Sequence, residues 1–221
     1  MNGVRALAAA PWLDVTRALS VGHPNWPGDT PLALDLNARI ADGSSVNVMA
    51  LTTSTHCGTH LDAPFHYRDD GGRLGSIELE RLMGPCLVLD ASGNGGGAVA
   101  ADAALAALAR VADPIPQRVF VKTGQVDRWE RFPEGFAPLS VALVQALSRR
   151  GVRLVGTDAP SVDALDSKDL PVHAACAEAD LLIVEGLALE RVGAGSYECL
   201  VLPLRLVDAD ASPVRALLRA L

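Results

Sequence analysis

The chain has 221 residues, of which 49% are hydrophobic and 20% are charged, and its formal net charge is −7. This length and composition predict one ordered globular domain over residues 1–221 and exclude an intrinsically disordered chain. The acidic balance, without a cluster of lysine and arginine, excludes the electrostatic footprint of a nucleic-acid-binding protein, and the longest apolar runs are shorter than the ~20 residues that span a membrane.

The first thirty residues predict a lead-in segment and then a stiff loop. The Ala-rich residues 4–13 resemble a weak signal peptide, but no cleavage pattern follows, so we expect them to lead into the first strand or helix. Residues 22–31 hold three prolines and two glycines, which predict an ordered, non-helical loop. Trp26 lies in this loop, and it is expected either to contact a substrate or to fill the core.

The following segments predict strands and helices that alternate along the second half of the chain. Residues 32–40 carry an apolar side chain at every second position, and residues 46–53 alternate in part, so both predict strands. Further strands are predicted at 86–90, 118–122, 152–156, 181–185 and, as the final strand, 198–206, with helices at 98–111, 140–150 and 172–180 and a glycine-rich turn at 93–97. This alternation indicates the α/β fold class.

The segment from His56 to Asp62 is the core of a predicted metal site. His56, Gly58, His60 and Asp62 stand at every second position, and in an extended segment such positions project from one face. Gly58, a β-branched threonine and a nearby proline argue against a helix here, and the absent side chain of Gly58 leaves room for an ion. Imidazole nitrogens and carboxylate oxygens are ordinary ligands for zinc and also suit manganese.

Three residues outside this segment are further candidates. His66 follows Asp62 by four residues and is expected to be another ligand or an acid/base group. His173 lies two residues after a proline. Glu185 ends a strongly apolar predicted strand, where a carboxylate is unfavourable unless it is solvated, paired or bound to a metal. His173 and Glu185 are therefore either part of the metal site or, respectively, a surface histidine and a solvated strand end.

Other reactive side chains are predicted to have structural roles. On an extended chain Cys57 faces away from its histidine neighbours, so we expect a small buried side chain. Asp158 and Asp163 are expected to stabilise a polar loop through backbone hydrogen bonds. The four cysteines contain no CxxC pair, which indicates reduced thiols in a cytoplasmic protein. A GxSxG nucleophile elbow is missing from the sequence.

Several motifs along nearly the whole chain carry a resemblance to a known family. They are Trp26-Pro27-Gly28-Asp29, His56-x-Gly-Thr-His60-x-Asp62-Ala-Pro-x-His66, Gly156-Thr157-Asp158, and His173 with Glu185 twelve residues later. Together they resemble the bacterial kynurenine formamidases, or arylformamidases, of the metal-dependent cyclase superfamily. The resemblance implies a mixed β-sheet core flanked by helices, of the swivelling β/β/α type, and assembly as a homodimer.

The same resemblance implies a role for each site residue. It implies a binuclear zinc site, with one ion held by His56, His60 and Asp62 and the other by Asp62, His173 and Glu185. His66 would be the proton donor and acceptor, and Trp26 would contact the aromatic ring of the substrate.

The implied reaction is the hydrolysis of N-formyl-L-kynurenine to L-kynurenine and formate in tryptophan degradation. A bound divalent metal lowers the pKa of its water toward ~7 and polarises a carbonyl, and an imidazole such as His66 has the pKa range to move the proton. Two alternatives stay open at this point. One is a related hydrolase that opens a cyclic amide such as isatin. The other is a non-catalytic metal- or ligand-binding module, which is disfavoured because His66 is a spare base beside the predicted ligands.

Overall fold

The computed structural model describes residues 10–92, 99–111 and 113–221, with the backbone alone for 99–102. In chain order these residues form β1 (Leu13–Asp14), β2 (Ala33–Ala38), β3 (Val48–Thr52), β4 (His60–Asp62), β5 (Met83–Asp90), α1 (Val99–Ala109), β6 (Arg118–Lys122), α2 (Val141–Arg149), β7 (Leu154–Thr157), α3 (Pro171–Glu178), β8 (Leu182–Glu185), β9 (Gly195–Pro203) and β10 (Ala211–Ala220). The predicted turn at 93–97 lies outside the described residues.

Eight strands form one mixed sheet in the order β1-β10-β4-β8-β7-β6-β5-β9. The strands from β5 to β8 run parallel, because each is joined to the next by a crossover that contains one of the three helices, and the other pairings are antiparallel. β9 also pairs with β10, so seven of the strands close into a ring and β1 adds beside β10. The predicted mixed sheet with flanking helices is confirmed, whereas its closure into a barrel-like core was not predicted.

The two faces of the sheet pack into two separate cores. On β6, Phe120 packs inside the ring, while Val119 and Val121 pack under the helices. On β8, Val184 lies inside the ring and Ile183 lies on the helix side. This alternation follows from the two-residue period of a strand, so every other residue of β4 and β8 points toward the helices.

β2 and β3 form a separate two-stranded antiparallel sheet. Both predicted strands are confirmed, although each is shorter than its sequence pattern. Large apolar side chains remain exposed on this hairpin, namely Leu34 at 44%, Leu36 at 46%, Met49 at 61% and Leu51 at 59%. The alternation that predicted the strands therefore does not correspond to a face buried within the chain.

The end of the chain differs from its prediction. The strand predicted at 198–206 is β9, which begins and ends three residues earlier, and it is not the final strand because β10 follows it. β10 is rich in alanine, leucine and arginine, which favour helices in isolation. It is nevertheless a strand because it pairs with β1, β4 and β9, and this pairing between distant segments outweighs local propensity.

Two further observations concern the chain as a whole. All four cysteines are buried and have free thiols, as predicted. Among the described residues, no helix combines the length and the apolar character that crossing a membrane requires.

Candidate metal centre

The pairing of β4 with β8 brings three of the predicted ligands onto one face of the sheet. In this antiparallel pair His60 lies opposite Glu185, and Asp62 lies opposite Ile183. Leu61, between the two β4 ligands, points into the ring interior, so His60 and Asp62 take the opposite face with Glu185. His60 Nε2 lies 3.3 Å from Glu185 Oε2 and 3.4 Å from Asp62 Oδ1.

Helix α3 adds His173 above this face. Asp163 accepts hydrogen bonds from the backbone N–H groups of Val172 and His173 at the start of the helix, and also from His173 Nδ1 at 2.7 Å. His173 Nε2 consequently points at Asp62 Oδ2, 3.7 Å away, and at Glu185 Oε1, 3.6 Å away. The predicted role of Asp163 in the loop is confirmed, and its contact with the histidine ring is an additional role that sequence reasoning missed.

Asp158 also has the predicted loop-stabilising role. Its carboxylate accepts hydrogen bonds from the backbone N–H groups of Thr123, Gly124 and Gln125 and from the Thr123 hydroxyl. These four hydrogen bonds hold both carboxylate oxygens against this loop, and burial raises the pKa of Asp158. Asp158 is therefore not one of the groups that face the cluster.

His56 reaches the cluster by a route that differs from the predicted one. The chain is not extended from His56 to Asp62, because β4 begins only at His60 and Gly58 has a left-handed φ of 68°. The turn nevertheless places His56 Nδ1 3.1 Å from Asp62 Oδ1, and it directs the Gly58 carbonyl to accept a hydrogen bond from His60 Nδ1 at 3.1 Å. Cys57 is fully buried, as expected.

His66 borders the cluster on its more exposed side. It ends a short 3₁₀ turn, Pro64–His66, which interrupts the strand after Asp62, and its side chain is 31% exposed. Its ring centroid lies 4.0 Å from that of His56, and its Nδ1 lies 3.8 Å from Asp210 Oδ2. Asp210 was not predicted, although it belongs to a short acidic segment directly before β10.

Four buried polar atoms in the cluster have no hydrogen-bond partner. They are His60 Nε2, His173 Nε2, Asp62 Oδ1 and Asp62 Oδ2. His60 Nδ1 donates to a carbonyl and His173 Nδ1 donates to a carboxylate, so in the neutral form of each ring Nε2 presents a lone pair toward Asp62. Buried lone pairs of imidazole and carboxylate that converge in this way form a donor set that fits a divalent cation.

Overlapping groups of side chains in this region could hold an ion. They are His56, His60 and Asp62; Asp62, His66 and His173; and His56, His66 and Asp210, and the donor atoms of each group lie within 4.8 Å of one another. The structure thus brings together all the predicted ligands, with Glu185 in contact with two of them. It also places His66 at the edge of the same cluster.

In the metal-free protein the cluster balances its charges with protons. Burial disfavours a charged ring, but the neighbouring carboxylates of Asp62 and Asp210 raise the pKa of His56 to about 9. In the same way Asp163 and Asp62 raise the pKa of His173 to about 10. Burial and the charges of His56 and His173 outweigh the nearby carboxylates and lower the pKa of His66, so this ring is neutral near pH 7.

A cavity of about 570 Å³ opens over the cluster. Its lining includes Trp26, Trp129 and Phe132 together with histidines and carboxylates of the cluster. Trp26 packs edge-on against Phe132, with ring centroids 5.4 Å apart, and also borders the cavity. Trp26 is only partly buried and belongs to neither core, and its contact with a substrate stays a prediction. Trp129 and Phe132 were not predicted, since no local pattern distinguishes them from core aromatics.

The fold and this donor set define an α/β protein with a candidate metal centre beneath an aromatic cavity. The chain belongs to the cyclase family, because the family profile described as "Putative cyclase" matches residues 13–164. It is 42% identical over 213 residues to a kynurenine formamidase from Erythrobacter litoralis, which covers 94% of this chain and 93% of that protein. The resemblance found in the sequence motifs is thereby confirmed.

Solved structures support the same assignment. A structure described as a potential metal-dependent hydrolase with cyclase activity superposes with a TM-score of 0.78 at 27% identity, over 96% of this chain and 99% of the other. Isatin hydrolase A from Labrenzia aggregata superposes with a TM-score of 0.80, over 96% of this chain and 94% of the other. Its identity is 20%, so this second likeness concerns the fold alone.

After complete metal removal, His56 and His173 should titrate near pH 9 and pH 10, because carboxylates surround both rings. Folded-state pKa values above the unfolded ~6.5 mean that these rings stabilise the metal-free protein below about pH 6.5, and that this stabilisation is lost as pH rises through 9 to 10. NMR titration of the ring C–H signals measures both values. His23, whose pKa is lowered by burial and by nearby Arg17, is the internal control. Titration of both rings below pH 8 would contradict the prediction.

Proposed function

We propose that this chain is a metal-dependent formamidase that hydrolyses N-formyl-L-kynurenine to L-kynurenine and formate. The observation that carries the proposal is the buried set of unpartnered imidazole and carboxylate atoms at the base of an aromatic cavity, in a chain 42% identical to a kynurenine formamidase over 94% of its length. The cluster supplies the means to activate water, and the cavity supplies a surface for an aryl ring.

The site would hold two ions, zinc or alternatively manganese, shared between two ligand groups. The arrangement of Asp62 supports this number, because its Oδ1 faces His56 and His60 while its Oδ2 faces His173. Glu185 is divided in the same way, with Oε2 toward His60 and Oε1 toward His173. One ion would be bound by His56, His60 and Asp62, and the other by Asp62, His173 and Glu185.

Bound divalent cations would supply Lewis-acid polarisation of the formyl carbonyl and a water of lowered pKa. His66 is the group placed to move the proton, because burial keeps its ring neutral near pH 7 and it borders the cavity beside the cluster. The water oxygen adds to the formyl carbon as His66 accepts a water proton. The C–N bond then breaks as His66 returns that proton to the anilide nitrogen, which is a poor leaving group unless protonated.

The aromatic side of the cavity orients the substrate. Trp26, Phe132 and Trp129 line the same cavity as the donor cluster, so an aryl ring between them would direct its formamide group toward the carboxylates. Arg17 packs over the Trp129 ring at 3.7 Å and donates hydrogen bonds to the backbone carbonyls of Val126 and Asp127, which fixes this part of the cavity.

The exposed apolar hairpin β2–β3 supports assembly as a homodimer. A contiguous apolar surface of this kind on a monomer marks an interaction site, and the free edge of a short hairpin favours pairing with another chain. The four buried free thiols support a location in the reducing cytoplasm.

The proposed activity is tested by formate release from N-formyl-L-kynurenine. Protein stripped by a chelator should be inactive, and zinc or manganese should restore activity as the protein takes up two equivalents of metal, measured by elemental analysis. Isatin, assayed with the same preparation, is the comparison substrate. Metal-loaded protein that opens isatin but releases no formate from N-formyl-L-kynurenine would assign the chain to cyclic amides instead. A saturating stoichiometry of one ion would contradict the two-ion arrangement.

Asp62→Ala and His66→Ala should separate metal binding from proton transfer. Asp62→Ala should lose metal and activity together, because Asp62 contacts both groups of candidate ligands. His66→Ala should keep its fold and metal content but lose about 10²–10⁴-fold in kcat, which is the usual contribution of a positioned acid/base. Metal content and kcat are measured on the same preparations. If His66→Ala is as depleted of metal as Asp62→Ala, His66 is a ligand and not the proton-transfer group.

Trp26→Ala should weaken substrate binding more than it slows the reaction. Trp26 lines the cavity and offers no metal-ligand atom, and an aromatic pair contributes ~0.5–1.5 kcal/mol beyond the area it buries, so KM should rise several-fold with a smaller change in kcat. Trp12→Ala is the matched control, since Trp12 is 38% exposed and does not line the cavity. An unchanged KM in Trp26→Ala would show that Trp26 acts only in packing.

A further inference from the structure

Asp210 lies beside the candidate metal centre, although the proposed function gives it no role. It directly precedes β10, and the first residue of that strand, Ala211, pairs with Asp62 of β4. The Asp210 carbonyl also accepts a hydrogen bond from the backbone N–H of Ala63 at 2.8 Å. These backbone contacts fix Asp210 at the end of β4, next to the donor cluster.

The carboxylate of Asp210 is held between three side chains. Its Oδ1 accepts a hydrogen bond from the Thr55 hydroxyl at 2.9 Å. Its Oδ2 lies 3.0 Å from His56 Nε2 and 3.8 Å from His66 Nδ1. One carboxylate, oriented by a threonine, therefore contacts a proposed ligand directly and faces the proposed proton-transfer group.

The contact with Asp210 decides which nitrogen of His56 carries a proton. A carboxylate accepts hydrogen bonds, so the His56 Nε2 that faces it is the protonated donor. When the ring is neutral, the lone pair must then be on Nδ1, the atom 3.1 Å from Asp62 Oδ1. A ring without this contact is free to take the other tautomer, in which Nδ1 carries the proton and cannot bind a cation.

The other two histidines of the cluster are oriented by the same device. His60 Nδ1 faces the Gly58 carbonyl at 3.1 Å, and His173 Nδ1 faces the Asp163 carboxylate at 2.7 Å. In each of these two rings Nδ1 contacts an oxygen atom, and Nε2 is directed at Asp62. Asp210 completes this pattern for His56, the only one of the three whose partner comes from the end of the chain.

We propose that Asp210 is a positioning residue that fixes the tautomer and orientation of His56 and so strengthens cation binding at this centre. The inference rests on the proposed function in that it takes His56 as a ligand. The geometry favours this role over that of a ligand grouped with His56 and His66, because Asp210 Oδ2 lies 3.0 Å from His56 Nε2, the ring nitrogen turned away from Asp62.

The test measures zinc affinity by competition with a chromophoric chelator, in the full-length protein without substrate. Asp210→Ala should weaken one of the two zinc sites about 10–100-fold, as is usual when the oxygen partner of a metal-binding histidine is removed. Asp210→Asn keeps an acceptor oxygen and should lose less. Asp208→Ala removes the same charge from the same segment, at an exposed side chain without a contact to the cluster among the described residues, and should bind zinc like the native protein.

A second measurement reports the tautomer itself. In zinc-loaded, ¹⁵N-labelled native protein, long-range ¹H–¹⁵N spectra should show His56 with Nε2 protonated and its proton shifted downfield by the hydrogen bond to Asp210, and Asp210→Ala should lose this downfield shift. Thr55→Val removes the hydroxyl that orients the Asp210 carboxylate and should weaken zinc binding less than Asp210→Ala does. The double variant should be no weaker than Asp210→Ala alone, because both changes act on one interaction.

Three results overturn the inference. Native zinc affinity and an unchanged His56 ring in Asp210→Ala would show that Asp210 does not position the histidine. Complete loss of one ion at saturating zinc, as in His60→Ala, would show that Asp210 is a ligand instead. If native protein binds no zinc at all, the proposed metal site fails as well. If the first result occurs while native protein binds two ions and releases formate, the proposed function stands without a role for Asp210.

Discussion

Asp62 is fully buried, and neither of its carboxylate oxygens accepts a hydrogen bond. A carboxylate in this situation is strongly unfavourable unless opposite charge lies beside it, and the surrounding fold supplies that charge from several directions. In the metal-free protein the rings of His56 and His173 lower the pKa of Asp62 well below its usual range. Its partners come from a turn, from its own strand and from a helix, so their positions depend on one another through this carboxylate.

The fold satisfies this constraint with only a few backbone features. The β4–β8 register places His60 opposite Glu185, and the left-handed turn at Gly58 brings His56 back over the same face. Asp163 caps α3 and at the same time orients the ring of His173. These separate features all direct an imidazole toward the same point.

The residues of the donor cluster could be predicted from the sequence, but their geometry could not. His56, His60, Asp62 and His66 lie within eleven residues, so they could be grouped from spacing alone, and Glu185 was conspicuous as a charge that ends an apolar strand. The extended backbone inferred for His56 was wrong, because a glycine can take the left-handed conformation as easily as the extended one. The spacing therefore grouped residues that lie together in the structure, even though the conformation inferred from it was wrong.

What could not be predicted depends on contacts between distant parts of the chain. β10 is recognisable as a strand only through its partners, and Asp210 reaches the site only because β10 pairs with β4. Trp129 and Phe132 belong to a loop held in place by the buried Arg17, whose guanidinium donates to four backbone carbonyls. A loop of this kind can change its side chains without moving the donor cluster, because the cluster is carried by other elements.

The proposed ligands are spread along the chain from His56 to Glu185, so an ion at this centre would tie a turn, two strands and a helix together. Such a ligand set is assembled only in the native state, and binding to that state alone shifts the unfolding equilibrium by mass action. Free metal at a hundred times its dissociation constant would add about 2.7 kcal/mol, a substantial part of the 5–15 kcal/mol that is typical of a whole domain. Metal supply would then govern how long the protein persists in the cell as well as how fast it works.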